Sequence, residues 1–288
     1  MNKIEIHKDT IYSSKANKDI TLIHLSDIHF NKNTNIKMFD KIKEEVYKNN
    51  PDYIVITGDT IDNPKIIKDK IKIKKLLLFL TDLGSFTKVI ISLGNHDTIL
   101  HEDLKFFKNL NDLKNIYVLD NDTYVDELIF ISGVTLPTKY YYNITKDESK
   151  EILIEHLKKY KKLINNLPEN LPKVSLNHSP IRLTDKEVLS YLKDYDLLLS
   201  GHTHGGMVPK ILDKFFKPNQ GIIAPNKKLL PDVARGKVIN RMPNKDVTLI
   251  INSGTTKLSS HSAKLLNKLN FVYNIDINKI IITNKKGR

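Results

Sequence analysis

No cysteine occurs anywhere in the 288-residue chain. Disulfides, iron–sulfur clusters and thiolate zinc sites are therefore excluded, and any metal must be held by nitrogen and oxygen from histidine, carboxylate and amide groups. Long hydrophobic runs are missing as well. None approaches the roughly 18 apolar residues of a membrane span, and the N-terminal MNKIEIHKDT lacks the continuous apolar centre of a secretory signal. The expected compartment is the cytoplasm, with peripheral attachment at a membrane surface left open. Arginine is scarce, four residues against 42 lysines. The formal charge of +13 is thus carried by lysines spread along the whole chain, a composition of solvated faces rather than of selective phosphate forks. No specific nucleic-acid binding is expected, although such a field draws anionic substrates.

What is present is enough apolar material for a sizeable core: 40% of residues are hydrophobic and 27% charged. Short apolar runs ending in polar residues read as buried strands: TLIHLSD, DYIVITGD, KVIISLGNHD, LIFISGV, KVSLNHSP and YDLLLSGHTH. Helical spacing connects Phe39, Ile42 and Val46, the stretch Lys74 to Leu83, and Leu153, Leu157, Tyr160 and Ile164. This alternation predicts an α/β fold. No repeat or low-complexity linker marks a second domain, so one domain is expected over 1–288, with a core at 20–206, a loop at 207–245 and C-terminal strands at 246–284. A further helix signal lies at Ala263 to Leu269.

In open α/β sheets ligands gather beyond the carboxyl ends of the strands. Five of the predicted strands end in metal-binding types: Asp27 with His29, Asp59, Asn95, His178, and His202 with His204. Each residue alone has a plainer reading, as a helix cap, a turn former or a satisfied structural histidine. Packing has no reason, however, to repeat ligand types at five of the six strand ends. Together they suffice for two divalent ions if Asp59 is shared. His24, inside a strand, reads as a core residue; His7, His101, His156 and His261 read as surface residues. Tyr140, Tyr141 and Tyr142 read as a packed or half-exposed loop cluster.

The motifs DIH (27–29), GDTID (58–62), GNHD (94–97), NHSP (177–180) and GHTH (201–204) occur in that order. In this the chain resembles the calcineurin-like metallophosphoesterase superfamily, and five such motifs in sequence form a specific signal. The resemblance implies a four-layer α/β/β/α sandwich of two mixed sheets. It places one ion on Asp27, His29, Asp59 and His204 and the other on Asp59, Asn95, His178 and His202, with manganese, iron or zinc the expected metals. It further implies His96 as general acid with Asp97 as its orienting partner, Asp62 as a hydrogen-bonding support, and attack on phosphorus by a hydroxide bridging the metals.

The run GHTHGG followed by KPNQGIIAP and LLPDVARG resembles the branch of small bacterial phosphoesterases acting on lipid-linked or nucleotide-linked pyrophosphates. Met207 stands where that branch often carries glutamine. The expected activity is therefore metal-dependent hydrolysis of a phosphodiester or pyrophosphate in a phosphorylated small molecule or lipid. Alternatives are a cyclic-nucleotide phosphodiesterase, a DNA nuclease, or a non-catalytic scaffold on the same fold. A scaffold would show broken ligands, and a nuclease an arginine stripe or a coiled-coil tail. Within the stretch 209–236, Ile211, Leu212, Phe215 and Phe216 form an apolar patch among Lys210, Lys214 and Lys217, suited to a membrane surface.

Overall fold

The computed structural model describes residues 3–98, 104–141, 145–163, 168–225, 228–243, 245–256 and 273–285. The predicted helix at 263–269, His101, His261, Tyr142 and Ile164 lie outside them.

The twelve described strands assemble into two six-stranded mixed sheets. One has the order β1 (Ile4–Tyr12), β12 (Ile275–Thr283), β2 (Ile20–Leu25), β3 (Tyr53–Thr57), β4 (Lys88–Ser92) and β5 (Ile116–Leu119). The other runs β10 (Gly236–Arg241), β11 (Asp246–Ile251), β9 (Leu197–Ser200), β8 (Lys173–Asn177), β7 (Phe130–Val134) and β6 (Asp122–Val125). Strands β2, β3 and β4 are mutually parallel, as are β7, β8 and β9.

Three apolar layers follow from the period-two alternation of strand side chains. Between the sheets lie Leu22, Val55, Ile90, Leu176, Leu197, Leu199 and Ile250. On the outer face of the first sheet, Phe39, Ile42 and Val46 of α1 (Lys37–Asn49) and Leu76, Leu80 and Leu83 of α2 (Lys70–Phe86) cover Ile23, Leu25, Ile54 and Ile56. On the second, α5 (Lys146–Leu163) and α6 (Lys186–Leu192) cover Phe130, Leu198 and Leu249. The run Leu197-Leu198-Leu199 thus serves two cores, because alternate side chains leave opposite faces. Each such side chain contributes about 1.5–3 kcal/mol on burial. The result is a four-layer α/β/β/α sandwich.

Two further α-helices, α3 (Asn95–Thr98) and α4 (Leu104–Leu110), follow β4. The stretch 207–245, expected to be loop, is partly ordered. It holds a 3₁₀ turn over Lys210–Phe215 and, at its end, β10, antiparallel to β11. β10 is an edge strand of half-buried and exposed residues only, so it lacks the apolar run that marks central strands.

Candidate metal centre

The carboxyl ends of β2, β3, β4, β8 and β9 meet on one rim, where the two sheets are tied together by hydrogen bonds. Nδ1 of His178, after β8, is 2.7 Å from the Thr57 carbonyl at the end of β3. The backbone N–H of His202, after β9, donates to Asp27 Oδ2, after β2, at 3.0 Å. All seven predicted ligand residues lie on this rim. Asp27, His29 and His204 form one group with ligand atoms within 4.8 Å of one another, and Asp59, His178 and His202 form a second. Asn95 Oδ1 is buried with no hydrogen-bond partner among the described residues.

Asp59 stands between the groups. Its Oδ2 is 3.6 Å from His29 Nε2 and 3.1 Å from His178 Nε2. Asp27 Oδ1 is 3.7 Å from both His29 Nε2 and His204 Nε2. Two of the four candidate ligand imidazoles have their other nitrogen hydrogen-bonded to a backbone carbonyl, which fixes how they face the rim. Carbonyl oxygens only accept, so Nδ1–H of His178 donates to Thr57 O, and Nδ1–H of His204 donates to Thr256 O at 2.9 Å. His29 Nδ1 is 3.2 Å from Asp62 Oδ1. In the neutral tautomers the Nε2 of His178 and of His204 then points a lone pair at a carboxylate oxygen. Lone pairs facing lone pairs need a cation between them, either a proton or a metal, and separations of 3.1–3.7 Å are those of neighbouring ligands around an ion with bonds of about 2.0–2.2 Å. The donor set fits divalent cations.

Charge balance tells the same story. Burial acts against protonated His29, yet Asp27 and Asp62 raise its pKa to about 10; burial likewise opposes protonated His178, and Asp59 raises it to about 9. His202, held by burial and by the neighbouring His178, is lowered to about 3. Against the cost of burial, His204 and His29 hold Asp27 below the usual carboxylate range, and His178 does the same for Asp59. Protons on His29 and His178 occupy the role that a metal ion takes over on binding.

The backbone is bent to this purpose. Five of the seven residues, Asp27, His29, Asp59, His202 and His204, have φ between 47° and 67°. Left-handed conformations cost a non-glycine residue on the order of 1 kcal/mol, and their concentration at one rim is strain held by the surrounding fold. Close approach also requires glycine. A Cβ on Gly201 would collide with Ser26 Oγ and Asp27 Oδ2, and one on Gly94 with Asp59 Oδ1.

His96 reaches the same rim, its ring edge-on to His29 with centroids 4.7 Å apart. Its Nδ1 lies 2.7 Å from the carbonyl oxygen of Asp62. That corrects the expected role of Asp97. The buried Asp97 carboxylate accepts instead from the backbone N–H groups of Gly94, Ile61 and Thr60 at 3.0, 3.2 and 3.3 Å, joining the GDTID and GNHD loops. Burial, then the Asp59 charge, raises its pKa to about 7. His24 is buried in β2 with Nε2 2.8 Å from Thr57 Oγ1. His156, expected on the surface, is half-buried and 3.0 Å from Asn121 Oδ1, whereas His7 is exposed.

Sequence reasoning missed the carbonyls of Thr57 and Thr256, since every residue has one. It also missed Ser26, whose hydroxyl donates to Asp27 Oδ2 at 2.6 Å. Tyr141, read as packed loop, packs edge-on to His202 with centroids 5.1 Å apart.

Two sheets with paired histidine and aspartate groups at their common rim define the metallophosphoesterase class. The model of the calcineurin-like phosphoesterases matches residues 20–206, and the chain belongs to that family. It is 32% identical over 193 residues to an uncharacterized metallophosphoesterase of Campylobacter jejuni, covering 66% of this chain and 46% of that protein. It is 28% identical over 206 residues to one of Helicobacter pylori, covering 71% and 50%. The chain therefore spans about half the length of these relatives. It is 24% identical over 269 residues to the UDP-2,3-diacylglucosamine pyrophosphatase LpxG of Chlamydia muridarum, covering 82% and 77%.

Proposed function

We propose that the chain is a metal-dependent hydrolase of a phosphodiester or pyrophosphate, using two divalent cations that share Asp59. The supporting observation is the single oxygen, Asp59 Oδ2, facing an imidazole nitrogen of each group. When bound, such ions activate water and neutralise charge on the phosphoryl group. The protein's own parts are then simple. Asp27, His29, Asp59 and His204 hold one ion, and Asp59, Asn95, His178 and His202 the other. The Thr57 and Thr256 carbonyls hold two of the imidazoles in the ligating tautomer, and Asp62 lies 3.2 Å from the Nδ1 of a third, His29. His96 hands a proton from Nε2 to the departing oxygen, its Nδ1–H kept on the Asp62 carbonyl. Hydrolysis of bis(p-nitrophenyl) phosphate tests the reading: activity should vanish on exhaustive chelation and return with manganese or zinc. Full activity in the chelated protein would refute it.

The substrate in this reading carries a lipid or nucleotide group and is met at a membrane surface. Its support is the stretch after His204, where Ile211 is 82% and Phe215 71% exposed, among exposed lysines at 214, 217 and 228. Leu229 and Leu230 on the same stretch are also exposed, whereas Phe216, expected in the patch, is half-buried. No described helix is long and apolar enough to cross a membrane. The LpxG relative is named for a diacylated sugar nucleotide, which agrees with such a substrate. Ile211→Ser with Phe215→Ser should weaken binding to vesicles containing phosphatidylglycerol at low salt at least tenfold. Wild-type protein that ignores such vesicles would leave a soluble nucleotide as the better substrate.

A further inference from the structure

Beside the metal rim, the inward faces of β1 and β12 change character along their length. Ile11 on β1 and Ile280 and Ile282 on β12 face the inter-sheet core. Two residues at a time toward the metal end, the same faces carry Asp9, His7 and Glu5 on β1, and Asn278 and Asp276 on β12. The register pairs Glu5 with Asp276 and His7 with Asn278. Here the sheets do not close on each other. A cavity of about 520 Å³ opens instead, with His204 in its wall and Ser253 and Asn274 beside the strand residues.

Polar groups at core-facing positions lower stability unless they are paired, as Asn278 Oδ1 is with the Asn252 amide at 2.7 Å, and this break in the pattern is confined to the end adjoining His204. The chemistry of the wall narrows what it takes. Asp276 and Asn278 are only 8% and 4% exposed. His7 Nε2 lies 3.5 Å from Asp276 Oδ1, and the Asn274 amide donates to Glu5 Oε2 at 2.8 Å. Of the cations nearby, Arg235 is engaged with Asp213 and the Gln220 carbonyl and Lys237 with Asp9 at 3.3 Å, while Lys8 also lines the cavity. Carboxylates with amides and a hydroxyl around them suit a partner that both donates and accepts, and they repel a second phosphate. Vicinal hydroxyls have that character.

We infer that this cavity is a subsite for an uncharged, hydroxyl-rich group, a sugar or a ribose, carried by the phosphoester whose phosphate lies at the metal rim. The inference rests on the hydrolase reading above. The test compares kcat/KM for the p-nitrophenyl phosphodiesters of ethanol, of glucose and of uridine through its 5′ oxygen. Metal-loaded wild-type protein should prefer the glucose or the uridine ester to the ethyl ester at least tenfold, and the preferred ester tells which source supplies the hydroxyls. Asp276→Asn, which keeps shape but removes the acceptor charge, should shrink that ratio toward one. So should His7→Trp, which fills the cavity from an exposed position and keeps the test open should Asp276→Asn fail to fold, as judged by melting. Hydrolysis of all three esters without preference would overturn the subsite alone, as would a preference retained in a folded variant. A third metal equivalent lost in Asp276→Asn would make the cluster a cation site and overturn it too. No hydrolysis of any ester would overturn the hydrolase reading with it.

Discussion

His96 carries the argument at the scale of single residues. The Asp62 carbonyl 2.7 Å from Nδ1 can only accept, so the ring keeps a hydrogen on that side, and in the proposed mechanism Nε2 is the atom that faces the departing oxygen. A residue in that position matters in proportion to how poorly the departing group bears negative charge. His96→Ala should therefore lower kcat on an alkyl phosphodiester about 10²–10⁴-fold, and on an activated aryl diester less than tenfold. Equal losses on the two substrates would remove the general-acid role. The seven candidate ligand residues that gather on the rim were legible in the sequence because each closes an apolar run with a side chain that packing does not require. Asp97 was misread for a physical reason: adjacency to His96 in the chain says nothing about direction within a helical turn, and its carboxylate turned to three backbone N–H groups that had no other partner in that tight junction.

Among the structural elements, the starts of β3 and β4 hold a network that no motif announced. Asp126, just after β6, accepts from the hydroxyls of Tyr53 and Tyr124 at 2.6 and 2.7 Å and from Lys88 Nζ at 2.7 Å. It also accepts from the Leu128 N–H at 3.0 Å. Burial would raise its pKa, but Lys88 and the two hydroxyls hold it well below the usual carboxylate range. A depressed pKa in the folded state means a contribution that is whole at neutral pH and is lost as pH falls below about 4, the unfolded value. Asp126→Ala should cost about 3 kcal/mol in urea unfolding at pH 7. Asp126→Asn should flatten the acid limb of the stability profile below pH 4. An unchanged acid limb would mean that the network does not couple the two sheets. Here the sequence was silent, since Tyr53, Lys88 and Asp126 are far apart in the chain and only the pairing of two sheets brings them together. β10 and β1 escaped notice for a related reason, as edge strands with little continuous apolar character.

For the whole molecule, the α/β alternation was readable from periodicity, and the division into two facing sheets came with the family motifs rather than from hydrophobic spacing. Strand order depends on long-range pairing, such as β12 inserting between β1 and β2, which local pattern cannot carry. The sandwich has a consequence for the chemistry. Neither sheet alone owns a complete site: Asp27, His29, Asp59 and Asn95 follow strands of one sheet, and His178, His202 and His204 follow strands of the other. In the proposed two-ion reading, anything that separates the sheets at this rim dismantles both ion sites together, and Asp59 is the residue that both would share. Metal content per chain, measured on purified wild-type and Asp59→Asn proteins after equilibration with manganese or zinc, is the most direct test of that claim. Two equivalents in the wild type and fewer than one in the variant are predicted, with Asp62→Asn losing far less; a single equivalent in the wild type, or two retained in Asp59→Asn, would contradict the shared-carboxylate centre.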